Sequence, residues 1–313
     1  MPRPDVLAFY TNQGGYLRAK QGISPIADIL GRIARANQLQ FQVYDKGSLQ
    51  ISAAKVRHEY ALGRFVEPWN KNVLVLRPAY LPRFKRIEKS SRRHAFEVAK
   101  RRFNPAGLDF DQARKFVRDT KRIRYGSDMP EPSDEGYIYV PLQGGLLDDL
   151  ETRFCSPIDM LRATAQRAEG RDVVVSLHPN SNHNVVQLAA LSALCRAHPN
   201  IRIEDGPATR WIPGCRYIVT QHSGAAFEGF FWGKPAMLFE KVDFHHICAK
   251  PHAVGLDGAF EQIAAMVLDP PPFEQYLAWF LRDNCVNPEN PQAIKRVLAI
   301  LRRRGWELPH DPI

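Results

Sequence analysis

The chain has 313 residues, 44% of them hydrophobic and 24% charged, with a net charge of +10. This is a globular composition long enough for two α/β domains; it excludes a disordered chain, and no apolar run approaches the ~18 residues of a helical membrane span. The five cysteines (Cys155, Cys195, Cys215, Cys248 and Cys285) form no CxxC pair, which fits reduced thiols better than disulfides or a structural zinc site.

In chain order, hydrophobic periodicity predicts a strand at 6–10, a helix at 24–36, and strands at 40–44 and 73–76. Two basic helical stretches follow at 84–102 and 109–122. Residues 125–136 carry prolines and turn residues without apolar periodicity, so they read as a linker. Beyond them come strand 137–140, helix 157–167, strand 173–177, helix 185–197, strands 201–203 and 217–220, helix 223–232 and strand 236–239. Helices at 258–268, 273–282 and 291–303 close the chain. Strands alternating with helices argue for parallel, doubly wound sheets. The expected architecture is α/β, two Rossmann-like domains around a cleft: a basic domain 1–134, a second domain 135–285, and a C-terminal helix 286–313 packing back across both.

Charge is lopsided. Residues 1–134 hold 26 Lys+Arg against 13 Asp+Glu, and the remainder 17 against 20. The excess lies between 77 and 124, in Arg83-Phe84-Lys85-Arg86, Arg92-Arg93, Lys100-Arg101-Arg102 and Lys121-Arg122-Ile123-Arg124. Such runs ordinarily mark solvated helix faces. A surface this one-sided also suits anionic lipid headgroups, acidic glycans or nucleic acid. With no RNA-recognition motif, zinc finger or recognition-helix pattern, sequence-specific nucleic acid is not expected. Met1-Pro2-Arg3-Pro4-Asp5 leads straight into the first strand without a secretory segment. The expectation is a cytoplasmic protein, attached peripherally at the inner membrane through 77–124. The group His245, His246, Cys248 and His252 matches no zinc spacing, and no metal is expected.

Chemistry concentrates after three predicted strands of the second domain, where open parallel sheets bind ligands. The first segment is Pro141-Leu142-Gln143 with Asp148-Asp149; the second is His178-Pro179 with Asn180, Ser181 and Asn182. The third is Gln221-His222-Ser223-Gly224, where Ser223 sits at a helix N-cap and Glu228 five residues on is within reach of a ribose. A helix start behind a parallel strand suits phosphate, and a strand-end histidine suits proton or hydrogen-bond donation to it. Ser-Gly as a plain capped turn, Gly233-Lys234-Pro235 as a plain helix stop, and His178 as an ordinary strand-end histidine remain open. His198-Pro199 follows a predicted helix and reads as a turn.

The order Pro-x-Gln…Asp, His-Pro, then Thr220-x-x-Ser223-Gly224-x-x-x-Glu228-Gly229 with Gly233-Lys234-Pro235 resembles bacterial capsule polysaccharide biosynthesis proteins, Kdo-transferase-like glycosyltransferases of GT-B architecture. Bacterial sialyl- and polysialyltransferases share a related His-Pro and serine logic. The resemblance covers about residues 137–245. It implies a CMP-activated acidic sugar, Kdo-like or sialic-acid-like, transferred to a lipid-linked or glycan acceptor in capsule or surface polysaccharide synthesis, with the nucleotide-sugar as co-substrate and no cofactor. It places His178 and Ser223 on the CMP phosphate and Glu228 near the ribose. Gln143, Pro179, Gln221, His222, Gly224 and Lys234 complete the donor site. Asp148 or Asp149 lies near the reacting sugar. Three departures stand out: Ser176 replaces a basic residue common in relatives, the only acidic triplet, Glu204-Asp205-Gly206, follows His-Pro instead of preceding it, and the aromatic tail after the serine motif is replaced by Phe239-Glu240-Lys241-Val242-Asp243-Phe244-His245-His246.

CDP-polyol phosphotransferases share the fold and the His-Pro, but their serine motif carries paired serines and an aspartate; here stand His222-Ser223-Gly224 and Glu228. UDP-sugar epimerases also place Ser-Gly and Glu at this turn, without the rest of the pattern. A non-catalytic GT-B-like scaffold would account for Ser176 and the missing acidic triplet and would bind no nucleotide. A general nucleic-acid binder rests on the basic first part alone.

Overall fold

The computed structural model describes residues 3–45, 47, 52, 55, 57–64 and 67–312. Met1, Pro2 and Ile313, at the ends of the expected domains, lie outside them. The chain forms two compact units, residues 1–100 with 280–313, and residues 101–279.

The first unit is built on a sheet of order β2-β1-β3-β4-β5. Its strands are β1 (Val6–Thr11), β2 (Gln40–Asp45), β3 (Tyr60–Gly63), β4 (Val73–Pro78) and β5 (Lys85–Glu88). The first four are parallel, and β5 runs antiparallel to β4. Helix Pro25–Ala36 opens with proline at its first turn and buries Ile26, Ile29, Leu30 and Ile33, the i, i+3, i+4, i+7 stripe of an amphipathic helix. That stripe meets Val297, Leu298 and Leu301 of helix Ala293–Arg303 in one core with the sheet. The C-terminal segment thus belongs to this unit.

The expected helix at 84–102 is instead strand β5, a single 3-10 turn at Arg93–Ala95 and one short helix, Glu97–Lys100. The backbone of Lys85 bonds Val286 in both directions, at 2.7 and 2.8 Å. Arg86 and Glu88, read from sequence as part of a solvated face, are 4% and 2% exposed. Glu88 Oε1 accepts from Arg86 Nε at 3.1 Å, and its Oε2 from Arg304 at 2.6 Å and from the Glu97 amide at 3.1 Å. A tertiary ion-pair network overrides the local charge pattern.

The second unit has a fully parallel sheet of order β10-β9-β6-β7-β8. Here β6 is Ile138–Leu142, β7 Val173–Leu177, β8 Ile201–Ile203, β9 Tyr217–Thr220 and β10 Ala236–Leu238. Every residue of β6, β9 and β10 is buried, as continuous apolar strands covered by helices on both faces should be. The chain winds one way through β6, β7 and β8, then reverses through β9 and β10. The reversal point lies between β6 and β9, where such sheets open a crevice at the carboxyl ends of their strands.

The compact units do not divide at the expected 134/135 boundary. Residues 125–136, read as a linker, form a strap fixed within the second unit. Ser133 and Glu135 amides bond the Pro213 and Gly214 carbonyls at 2.9 Å, and Trp232 Nε1 bonds the Pro130 carbonyl at 3.1 Å. Helix Phe110–Tyr125 precedes the strap and packs against helix Phe273–Leu277. Proline-rich composition reports missing periodicity, not missing contacts.

Candidate functional site

Three loops leave the carboxyl ends of β6, β7 and β9, and backbone and hydroxyl hydrogen bonds tie them and the strand ends together. The His178 amide donates to the Leu142 carbonyl at 3.0 Å, and the Gly144 amide to Ser181 Oγ at 3.1 Å, tying the loop after β7 to the loop after β6. On the other side, Thr220 Oγ1 donates to the Pro141 carbonyl at 3.1 Å. Gly145 takes a φ of +71°, a backbone conformation that favours glycine, and a Cβ there would displace the exposed Asp148 carboxylate, whose Oδ2 would stand 2.2 Å away. Asp148 and Asp149 are exposed on that loop.

His178 is exposed, and its Nδ1 accepts the Asn180 amide at 3.2 Å. Pro179 beside it is also exposed. Ser223 is 7% exposed and caps the six-residue helix Gly224–Gly229: its Oγ accepts from the Ala225 amide at 3.3 Å. The hydroxyl proton stays available for donation. The capped turn expected from sequence is therefore present, with Gly224 half-buried behind it.

Two amide oxygens on this edge are sealed from solvent without a hydrogen-bond partner, Oε1 of Gln143 and Oε1 of Gln221. The Gln221 orientation is fixed, because its Nε2 donates to the Cys155 carbonyl at 3.0 Å. A buried acceptor without a donor costs roughly 1–3 kcal/mol, and a bound ligand can supply the donor.

Sequence reasoning gave no role to Glu240 or Arg153. Glu240 is the second residue beyond β10, and its amide donates to the Gln221 carbonyl at 3.0 Å. Its Oε2 lies 3.0 Å from Arg153 Nε and 2.8 Å from His222 Nδ1, while Oε1 accepts from Thr152 Oγ1 at 3.1 Å. Arg153 Nη1 donates onward to the carbonyls of Gly145, at 3.2 Å, and Asp148, at 2.9 Å. One polar chain thus runs from the loop after β6 to His222. Burial pushes the Glu240 carboxyl up, but His222 and Arg153 outweigh it and hold the group at about 2. The signal that could have found Glu240 is its place directly after a parallel strand, the same rule that picked out His178.

Glu228, expected near a ribose, is half-buried, and its Oε2 accepts from Tyr125 Oη at 2.7 Å. Burial and the Glu228 charge push the Tyr125 phenol well above its usual range, so it remains a donor. Lys234 is not brought to the crevice. It precedes β10, at the amino-terminal edge of the sheet, where it is 6% exposed and its Nζ donates to the Ser133 carbonyl. Its role is to hold the strap, and burial lowers its pKa. Ser176, the departure from the family pattern, is buried on β7 with its hydroxyl 2.7 Å from Tyr139 Oη.

Of the histidine and cysteine group, His246 lies between Tyr276 Oη and the Arg101 carbonyl, both at 3.0 Å. His252 stacks edge-on to Phe154, and Cys248 is buried with its thiol pushed up to about 12. Among the described residues no three His, Cys, Asp or Glu side chains are placed to hold one metal ion. Among them, too, no helix is long and apolar enough to cross a membrane.

No protein-family model matches the chain, and no curated protein sequence does. Among solved structures, the chain is similar to Thermosulfurimonas dismutans KpsC, beta Kdo 2,7 transferase, with 13% identity and a TM-score of 0.49 over 94% of this chain and 99% of that one. It is similar to the beta Kdo 2,4 transferase of the same KpsC at 13% identity and a TM-score of 0.48, over 88% of this chain and 90% of that one. It is also similar to the UDP-GlcNAc 2-epimerase from Neisseria meningitidis at 11% identity and a TM-score of 0.37, over 96% of this chain and 100% of that one.

Proposed function

We propose that the chain is a glycosyltransferase of capsule or surface polysaccharide synthesis, moving an acidic sugar, Kdo-like or sialic-acid-like, from a CMP-activated donor to a lipid-linked or glycan acceptor. The observation that carries the reading is the crevice edge at the strand reversal. There the partnerless Oε1 atoms of Gln143 and Gln221 stand on the same loops as His178, His222 and Ser223. A nucleotide brings hydroxyl and amino donors for those oxygens and a phosphate for the His178 ring and the Ser223 hydroxyl. The choice of CMP and of an acidic sugar rests on the sequence resemblance.

Departure of CMP builds negative charge on its phosphate. The Ser223 hydroxyl and the His178 ring donate to it, so the charge is offset by groups already in place. Asp148 or Asp149, on the exposed turn after β6, faces the oxocarbenium-like sugar centre. Tyr125 holds Glu228 for the ribose hydroxyls. The test is turnover of CMP-Kdo and CMP-sialic acid by the wild type and by His178→Ala and Ser223→Ala. Each variant should lose roughly 10²-fold or more in kcat. Full activity in both folded variants would refute the reading.

Peripheral attachment to an anionic membrane face belongs to the same proposal, with a narrower footprint than 77–124. Arg86 is buried, and Arg83 pairs with Glu289 at 2.5 Å. Helix Phe110–Tyr125 instead exposes Arg114, Lys115, Arg118, Arg122 and Arg124, with Phe110 and Ile123 among them. Each cation near an anionic surface contributes about 1 kcal/mol, and the exposed apolar residues add insertion.

A further inference from the structure

The two histidines of the crevice edge are held in opposite senses. His178 Nδ1 accepts an amide hydrogen from Asn180, so in the neutral ring the proton sits on Nε2 and that nitrogen is a donor. His222 Nδ1 is sealed from solvent and lies at ion-pair distance, 2.8 Å, from Glu240 Oε2, without the alignment of a full hydrogen bond. A nitrogen lone pair facing an ionised carboxylate at that distance is repulsive, so Nδ1 carries the hydrogen. In the neutral ring Nε2 then presents a lone pair. The His222 side chain is 33% exposed, and with Nδ1 sealed the open edge is the one bearing Nε2.

The His222 ring is held on one edge by the Glu240 carboxylate. The groups facing it are Glu240 and Arg153, with side chains 14% and 6% exposed, and Arg153 already balances the carboxylate through Oε2. An antiparallel bridge between Arg153 and Glu240, and the Glu240 amide bond to Gln221, fix the carboxylate relative to the His222 backbone. A pair of like groups whose surroundings set them in opposite states is the usual basis for separating acid from base.

We propose that Glu240 is a positioning residue that fixes His222 with its lone pair on Nε2, and that this nitrogen takes the proton of the acceptor hydroxyl while His178 donates its Nε2 hydrogen bond to the departing phosphate. The inference rests on the glycosyltransferase reading above and names the proton acceptor of that reaction. The acceptor O–H bond breaks and its proton passes to His222 Nε2. The freed oxygen pair forms the new glycosidic bond. The bond from the sugar carbon to the CMP phosphate oxygen breaks, and its electron pair stays on that oxygen. The His222 imidazolium then releases its proton to solvent.

The test is Glu240→Gln, whose amide can turn its NH2 toward Nδ1 and favour the Nε2–H tautomer. The wild type, labelled with 15N-histidine, should show the Nδ1–H tautomer for His222, and Glu240→Gln the Nε2–H tautomer. With CMP-sugar, kcat should fall about 10²–10⁴-fold, as it does when a general base is lost or held in the wrong tautomer. Donor KM should stay within about threefold, because the interaction serves the transition state. Glu240→Asp keeps the carboxylate, and most of the kcat should return with it. An unchanged tautomer in Glu240→Gln overturns the positioning role. A flipped tautomer with full kcat overturns the proton role. The spectrum is recorded without donor, so a wild type that turns over no CMP-sugar refutes the transferase reading and the proton role together, while the Glu240–His222 assignment stands or falls on the spectrum.

Discussion

Replacing Glu240 by glutamine should cost the second unit about 3 kcal/mol at neutral pH and progressively less in acid. The folded carboxyl titrates at about 2 against an ordinary 4.5, and its side chain is 14% exposed, so solvent screens the pairing only weakly. At about 1.4 kcal/mol for each pH unit, the difference is worth about 3 kcal/mol. The folded pKa is the lower one, so this stability is fully present above pH 4.5 and is lost as pH falls toward 2. At pH 3.5 about 2 kcal/mol should remain, and near the folded pKa the wild type and the variant should converge, since protonated glutamate and glutamine are near isosteres. Urea titrations at pH 7 and 3.5, followed by hydrogen exchange at β9 and β10 amides, isolate this unit from the first. A loss of equal size at both pH values would show that Glu240 acts by packing. No loss at pH 7 would show that the Arg153 and His222 contacts do not hold the carboxylate.

Three other outcomes follow from particular contacts. Glu88→Gln removes the buried carboxylate that bridges Arg86 and Arg304, whose side chains are 3% and 12% exposed, and should destabilise the first unit by about 3 kcal/mol in thermal or urea unfolding, Glu97 still pairing with Arg304. Lys234→Met should leave CMP affinity within about twofold while costing about 1–2 kcal/mol of stability, because the amine bonds the Ser133 carbonyl at the far edge of the sheet; a tenfold loss of affinity would return Lys234 to the donor site. Reversing Arg114, Arg118 and Arg122 to glutamate should abolish retention on vesicles containing anionic lipid at low salt, and full retention would refute the membrane role of helix Phe110–Tyr125.

Much of the second unit is legible in the sequence because its local signals agree with its packing. The apolar run of β7 and the capped helix Val185–Ala197 both lie where periodicity sets them. The Ser223 turn does too. The first unit misleads where tertiary contacts outvote local pattern: Lys85–Glu88 is charged enough to read as a solvated helix, yet it is pulled into the sheet by Val286 and Arg304. Strand β3, four buried residues containing both alanine and glycine, has too weak a β pattern to be seen. At the carboxyl edge of the sheet, the placements of His178, directly after β7, and of Ser223, at the helix cap after β9, are readable. Glu240 follows its strand too, but its meaning depends on Arg153, 87 residues earlier, which no spacing reveals. Lys234 fails for the opposite reason: it belongs to a motif, but precedes its strand and so lies at the wrong end of the sheet.

The most direct test of the central claim is amide chemical-shift mapping of the 15N-labelled protein titrated with CMP. The crevice account predicts saturable shifts confined to the three loops after β6, β7 and β9, namely residues 143–145, 178–181 and 221–224, and to the Glu228 turn, with saturation lost in Ser223→Ala. Saturable shifts elsewhere, with those loops unmoved, would contradict it, and so would no binding at millimolar CMP.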